Sequence, residues 1–323
     1  MNSQVQRVGF LLIPGFALTS FSLAVEALTV ANTLSNSPLY ELTLYSGDIS
    51  SDTVLSSNQI SVQTQQFFSE ATLDCTTLFV CAFRQAALYQ NSPVFRKLSQ
   101  LHRKHCRLAA LSSGSFILAR AGLLDSLGCT LAYEQRAAFQ ELYPSTVLQE
   151  NFFTVNQDIL SCAGGISALD MVLYMIARDH GYDFSARVSE QFLQDRMRSE
   201  TEMHRSIRYL RLRMKSETLG AAVEVMEGNI EQPYSIARLA NKIGTTTRTL
   251  ENVFRRHEGM PPGYYYLKLR LAHAKKMVEE TRLPFSTIAQ TTGFSSQSYF
   301  AKCFRAVYGQ SPSELRREQY NRT

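Results

Sequence analysis

"YSIARLANKIGTTTRTLENVFRRHEGMPP", residues 234–262, decides the architecture of the carboxy-terminal part of this chain. Ile236, Leu239, Ala240 and Ile243 recur at helical spacing and stop at Gly244. The polar turn "TTT" (245–247) then caps a second helix, whose apolar face is Leu250, Val253 and Phe254. A helix, a short glycine-containing turn and a second helix make the helix-turn-helix pattern. The small Ala240 lets the two helices approach closely, and Gly244 permits the backbone turn between them.

The unit recurs in "FSTIAQTTGFSSQSYFAKCFRAVYGQSP" (285–312). Ala289 matches Ala240 and Gly293 matches Gly244 at an offset of 49. Phe300 then matches Leu250, Phe304 matches Phe254, Gly309 matches Gly259 and Pro312 matches Pro262 at an offset of 50. The change of offset predicts one extra residue in the second turn. An internal duplication of this kind is hard to produce by chance. Between the copies, "YYYLKLRLAHAKKMVEET" (264–281) predicts a long helix with Leu267, Leu271, Ala274 and Met277/Val278 on its apolar face. Such a helix joins the two units rigidly.

Charge divides along the chain. Residues 1–194 sum to −4, residues 195–215 to +4 and residues 216–323 to +5. A basic carboxy-terminal part on a mildly acidic body points to a polyanion partner for that part alone. The segment 195–215 carries Ile207, Leu210 and Met214 at helical spacing, so a basic helical linker is expected between domains 1–194 and 216–323. At 323 residues two domains are expected. No apolar run is long enough to span a membrane, and "VGFLLI" (8–13) reads as a buried strand rather than a signal peptide. Six cysteines without C-x-x-C spacing read as reduced thiols of a cytoplasmic protein; no metal or cofactor is expected.

In the first 194 residues, apolar strand-like runs at 8–13, 40–46, 77–83 and 106–111 alternate with helical patterns at 19–34 and 92–105. A hairpin over 152–165 runs into Gly164-Gly165, and the helix "ISALDMVLYMIARDHG" follows. Strands apolar on both faces and separated by helices predict an α/β doubly wound, mostly parallel sheet. Ligands bind such sheets at the carboxyl ends of strands. "AALSSGSFILARAG" (109–122) places Ser112 at one such end, in a sharp strand-to-helix turn of the nucleophile-elbow kind.

"GFLLIPGF", "AVEALTVAN", "LSSGSFILARAGLLD" and "CAGGISALDMVLYMIARDHG", in that order, resemble the regulatory domain of GlxA-type transcription factors. That domain is similar in fold to the PfpI-type branch of the class I glutamine amidotransferase-like, flavodoxin-like proteins. The duplicated unit, over about 216–320, resembles the AraC/XylS DNA-binding domain, an all-α domain with two helix-turn-helix units.

The resemblance implies a ligand-responsive DNA-binding regulator, a homodimer on promoter duplex that activates amine, amino-acid or betaine/carnitine catabolism genes and meets RNA polymerase there. The enzymes of the superfamily place a cysteine where Ser112 stands and a histidine near Ala132, and they often draw an acid from the first loop, where "PGFALTSF" (14–21) has none. A serine without a base is a poor nucleophile, so binding is favoured over catalysis. The runner-up is a PfpI-like amidohydrolase with a DNA-binding appendage. Candidate ligand residues are Ser112, Ser113 and Gly114, whose turn offers N–H groups to a carboxylate, with Phe16, Phe83, Tyr133 and Glu134 as an aromatic and acidic rim. A guest that carries a carboxylate and an amine or quaternary ammonium suits that set.

On the DNA side, two recognition helices on one frame would enter successive major grooves about 34 Å apart. Arg248, Glu251 and Asn252 in the first copy, and Gln297, Ser298 and Lys302 in the second, are of the types that read base edges. Arg255, Arg256 and Arg305 are expected to hold phosphates.

Overall fold

Alternate residues of the inner strands of the first domain fall into two separate apolar cores. In the computed structural model, which describes residues 5–83, 85–125, 127–132, 135–194, 196–202 and 212–321, the chain forms two units, Met1–His204 and Arg205–Thr323. The strands of the first unit are β1 (Gln6–Leu12), β2 (Tyr40–Ser46), β3 (Thr53–Leu55), β4 (Ser61–Gln63), β5 (Gln66–Phe67) and β6 (Thr77–Ala82). They continue with β7 (Arg107–Ser112), β8 (Gly128–Cys129), β9 (Val147–Leu148), β10 (Phe153–Asn156) and β11 (Ile159–Cys162). Seven of them make one sheet in the order β10-β11-β7-β6-β1-β2-β5. All neighbours are parallel except β10 and β11, which form the expected hairpin.

Helices α1 (Leu18–Leu34), α5 (Ser167–His180) and α6 (Tyr182–Glu190) share a core with one side of that sheet, through Phe10, Leu12, Phe79, Cys81 and Leu111. On the opposite side, Leu11, Ile13, Leu78, Val80 and Ala110 meet α2 (Ser92–Arg103), α3 (Gly114–Arg120) and α4 (Arg136–Leu142). Each fully buried Phe or Leu contributes about 1.5–3 kcal/mol, which is why one-residue alternation fixes the register so firmly. The short β3, β4, β5, β8 and β9 and the helices α4 and α6 had no counterpart in the sequence reading. They are too brief for periodicity to show.

The second unit is helical: α7 (Glu217–Glu227), α8 (Ile236–Lys242), α9 (Thr247–Glu258), α10 (Pro262–Glu280), α11 (Phe285–Thr291), α12 (Gln297–Tyr308) and α13 (Pro312–Asn321). Its two copies, α8–α9 and α11–α12, match in detail. Turn glycines Gly244 and Gly293 take φ of 70° and 74°, and Gly259 and Gly309 end the second helices at 68° and 77°. The hydroxyls of Thr246 and Ser296 accept the N–H groups of Thr249 and Tyr299 as N-caps. The predicted extra residue is present: Thr246 follows Thr245 directly, whereas Ser295 intervenes between Phe294 and Ser296.

The connector differs from the helical linker expected over 195–215. Residues 196–202 are not helical; Asn151 Nδ2 donates to the Glu200 carbonyl at 2.6 Å and the Phe152 N–H to that of Glu202 at 3.0 Å. Ile207 and Leu210 lie outside the described residues, and 212–215 are helical. Every described cation of the connector has an acidic partner: Arg196 with Glu202, Arg198 with Asp170, Arg213 with Glu217 and Glu224, and Lys215 with Glu258. The positive charge of those four side chains is therefore answered within the fold.

The turn from β7 into α3 fixes one further position. A Cβ at Gly114 would collide with the Val80 carbonyl oxygen and press on Ala110. Overpacking of that kind costs about 1–3 kcal/mol. Gly114→Ala is expected to lower the urea midpoint of the first unit accordingly, followed by circular dichroism; an unchanged midpoint would show that β6 yields.

Candidate functional site

Ser112 is the last residue of β7, and it sits at φ 57°, in the left-handed region that side-chain-bearing residues seldom occupy. Holding a serine there costs on the order of 1–3 kcal/mol, and such strain concentrates at binding and catalytic positions. The second wall of the turn is Gly164, at φ 98°, where a Cβ would lie 2.9 Å from Ser112 Oγ. Gly165 N–H donates to Ser20 Oγ at 2.8 Å, and Ser167 Oγ donates to the Gly164 carbonyl at 2.8 Å. The ends of strands β7 and β11 and the first turn of α1 thus meet at one point.

The expected cradle of N–H groups is in large part already used. The Ser113 N–H donates to the Ala82 carbonyl at 3.2 Å, and its hydroxyl donates to Gln135 Oε1 at 2.7 Å in a fully buried position. Burial pushes the Cys162 thiol up, against the opposing influence of the Ser112 and Gly164 backbone and the Ser167 side chain. Ser112 Oγ, by contrast, makes no hydrogen bond among the described residues, and Ser112 keeps 3% of its surface exposed. Gly114 is buried under β6.

The rim expected from the sequence is only partly assembled. Phe16 is wholly buried, 5.4 Å edge-on from Phe21, so its ring fills the core instead of facing an opening. Phe83 is half-buried beside Gln85. Tyr133 and Glu134 lie outside the described residues. The partners that sequence reasoning missed are Ser20, Gln135 and Cys162. Only Gly164-Gly165 gave a local signal, and it read merely as the end of a strand.

From Gly165 the chain enters α5, whose first turn holds Asp170. Its carboxylate has no exposed surface and is met by Gln194 Nε2 at 2.7 Å and Arg198 Nη1 at 3.3 Å. Burial raises its pKa against the opposing pull of those two donors. The Arg198 guanidinium also lies 4.4 Å from the Phe152 ring centroid. The connector is thus fastened to the helix that starts beside Ser112.

In the second unit, Arg248, Asn252, Arg255 and Arg256 are exposed on α9, and Gln297, Ser298, Lys302 and Arg305 on α12; Glu251 is half-buried. The apolar sides of these helices, Leu250 and Phe254 and their counterparts Phe300 and Phe304, are fully buried. Arg248, Arg255, Arg256 and Lys302 make no ion pair among the described residues. Arg305 differs, since its Nη2 reaches both oxygens of Glu314 at 2.9 and 3.0 Å. Glu314 also accepts from the Ser311 N–H and hydroxyl, and these bonds with Arg305 hold its pKa down to about 2. No group of three or more His, Cys, Asp or Glu suited to a metal occurs among the described residues, and none of their helices is long and apolar enough to cross a membrane.

A family model for a helix-turn-helix domain matches residues 239–318. Over 318 residues the chain is 36% identical to the HTH-type transcriptional regulator GlxA of Rhizobium meliloti, covering 98% of this chain and 97% of that protein. The crystal structure of an AraC family transcriptional regulator from Pseudomonas putida is 30% identical, with a TM-score of 0.53 over 58% of this chain and 99% of that one. A THiJ/PfpI family protein from Pseudomonas syringae shares the fold at 16% identity, with a TM-score of 0.52 over 67% of this chain and 88% of that one.

Strain at the elbow has a measurable consequence. Ser112→Gly removes it at the expense of added chain entropy, for a net gain of about 1 kcal/mol. A higher urea midpoint for the variant is expected; a lower one would mean that the serine side chain contributes more than its backbone costs.

Proposed function

Because the chain belongs to the GlxA-type helix-turn-helix transcriptional regulators, with a DJ-1/PfpI-like α/β domain ahead of an AraC-type domain, we propose that it is a ligand-responsive activator of genes for amine, amino-acid or betaine/carnitine catabolism. It acts as a homodimer on promoter duplex, with RNA polymerase as its downstream partner. The observation that carries the DNA half of this reading is the pair of matched helices α9 and α12. Each buries one face completely and presents polar or cationic side chains on the other.

In this reading Arg248 takes a guanine, Asn252 and Gln297 take adenines, and Glu251 accepts from cytosine, with Ser298 and Lys302 completing the second box. Arg255 and Arg256 hold phosphates. Arg305 does so only by giving up Glu314, which makes it the weaker anchor of the three.

The effector half rests on Ser112, which offers an unbonded hydroxyl from a strained turn at the carboxyl end of a parallel strand. Ser112 and Phe83, with Tyr133 and Glu134, make a site for a small zwitterion: hydroxyl to carboxylate, ring and acid to the ammonium end. Ser113, Gly114 and Phe16 shape the site from behind. Holding without turnover fits a serine that has no hydrogen-bonded base among the described residues. A guest beside Ser112 and Gly164 biases the start of α5, and Asp170 passes that bias to Gln194 and Arg198 in the connector. Couplings of this kind are worth about 1–3 kcal/mol.

Two measurements test the proposal. A thermal-shift screen of arginine, carnitine, glycine betaine and sarcosine should raise the unfolding temperature for one of them, since ligand at a hundredfold its Kd contributes about 2.7 kcal/mol. No shift with any of the four would leave a constitutive DNA binder, and turnover that vanishes in Ser112→Ala would favour an enzyme. On duplex selected from a randomised pool by the wild-type protein, Arg248→Ala should cost about 1–3 kcal/mol at one base position. Arg255→Ala should weaken all sequences alike and lower the salt slope by about one. Equal losses on selected and random duplex for both variants would overturn these roles.

A further inference from the structure

Helix α10 links the two helix-turn-helix copies, and one of its faces carries Tyr266 and Arg270, four residues apart. The Tyr266 hydroxyl donates to the Asn229 carbonyl at 2.6 Å, which ties down the loop after α7. One helical turn further on, Arg270 Nε donates to the Thr292 carbonyl and Nη2 to the Gly293 carbonyl, both at 2.9 Å. The same guanidinium lies 4.3 Å from the centroid of the Phe294 ring. Three consecutive residues of the second turn are thereby held by one side chain.

That turn is also wedged from the other side. A Cβ at Gly293 would lie 2.5 Å from the Ile230 carbonyl oxygen, 2.8 Å from Pro233 Cδ and 2.9 Å from the Glu231 carbonyl oxygen. The loop tied by Tyr266 and the turn gripped by Arg270 are therefore in contact. At the first copy the arrangement is absent: a Cβ at Gly244 would meet nothing within 4 Å, and among the described residues no side chain hydrogen-bonds the carbonyls of Ile243 or Gly244. The added Ser295 gives the second turn the slack that lets Phe294 bury its ring over Arg270.

An arginine suits this place for a physical reason. Two adjacent carbonyls need two N–H groups in a fixed plane, and a ring face needs a flat, weakly hydrated cation; a lysine ammonium supplies neither. The site is also half out of water, so that burial lowers the Arg270 pKa, and among the described residues no carboxylate is bonded to it.

We infer that Arg270 is a positioning residue for DNA recognition, which sets the separation and rotation between α9 and α12 and so the spacing of the two DNA boxes that the protein accepts. The inference rests on the reading that both helices enter grooves.

The test uses the full chain and duplexes selected from a randomised pool by the wild-type protein, each remade with the spacer one base pair longer or shorter and as a single box. Wild type should lose affinity about tenfold when the spacer changes. Arg270→Lys and Arg270→Met should reduce that discrimination to about threefold or less, with single-box affinity within about twofold of wild type. Tyr266→Phe, which keeps the ring and loses only the bond to Asn229, should move the same way by a smaller factor; it serves as the readout if Arg270→Met fails to fold. Unaltered spacer discrimination in Arg270→Lys and Tyr266→Phe would overturn the inference and leave Arg270 a merely stabilising residue. A wild-type protein indifferent to spacing would instead defeat the two-groove reading, and the inference with it.

Discussion

A carboxylate taken fully out of water must be matched by donors, and in the first unit that carboxylate is Asp170. Its partners arrive from one place, the connector, through the Gln194 amide and the Arg198 guanidinium. Attraction between the charges does little more than offset their desolvation, so the pair adds modestly to stability. Loss of either partner is another matter, because an uncompensated buried charge costs about 3–5 kcal/mol. The consequence is positional. Gln194 and Arg198 cannot leave the surface of α5 without exposing or neutralising Asp170, and the bonds from the Asn151 side-chain amide to the Glu200 carbonyl and from the Phe152 N–H to the Glu202 carbonyl extend the hold.

The same end of α5 meets the elbow. Gly164 has no side chain because Ser112 occupies the space, and Ser112 is left-handed because β7 must turn at once into α3. Gly114 completes the constraint, since α3 begins against the backbone of β6. Two close approaches and a left-handed turn in so small a volume leave few ways to accommodate an added molecule without displacing something. The Ser112 hydroxyl, unbonded among the described residues, has a hydrogen bond still to give at that junction. Elbow, α5, Asp170, Gln194 and Arg198 form one continuous chain of packed or hydrogen-bonded groups within the first unit.

Much of this was legible in the sequence where a short-range rule governs. The doubly wound sheet follows from apolar runs that alternate with helical periodicity, and β1, β2, β6 and β7 fall where those runs lie. The two helix-turn-helix copies follow from glycine, cap and apolar spacing, even to the single extra residue that proved to be Ser295. Long-range pairing was not legible. The connector's cations looked like a basic surface because their partners are distant in sequence, Glu258 for Lys215 and Asp170 for Arg198. Phe16 looked like a rim residue because a loop position says nothing about which way a ring turns, and Phe21 proved to be its neighbour. The occupation of the Ser113 N–H and hydroxyl by Ala82 and Gln135 was equally invisible, since neither partner is near it in the chain.

Duplication copies a backbone but leaves each copy free to acquire its own fastenings. The first helix-turn-helix keeps an open turn at Gly244 and exposed arginines on α9 with no ion pair among the described residues. The second has its turn wedged at Gly293 and its Arg305 drawn to Glu314. Exposed ion pairs of the latter kind contribute little stability, so in the proposed reading their effect is on availability: a phosphate at Arg305 would compete with a carboxylate that is already in place. The second copy is thus held in a set position, while the first keeps its turn open and its α9 arginines without an ion pair among the described residues. If both copies enter grooves as proposed, fixing one firmly lets a rigid frame define spacing without requiring both to bind equally well.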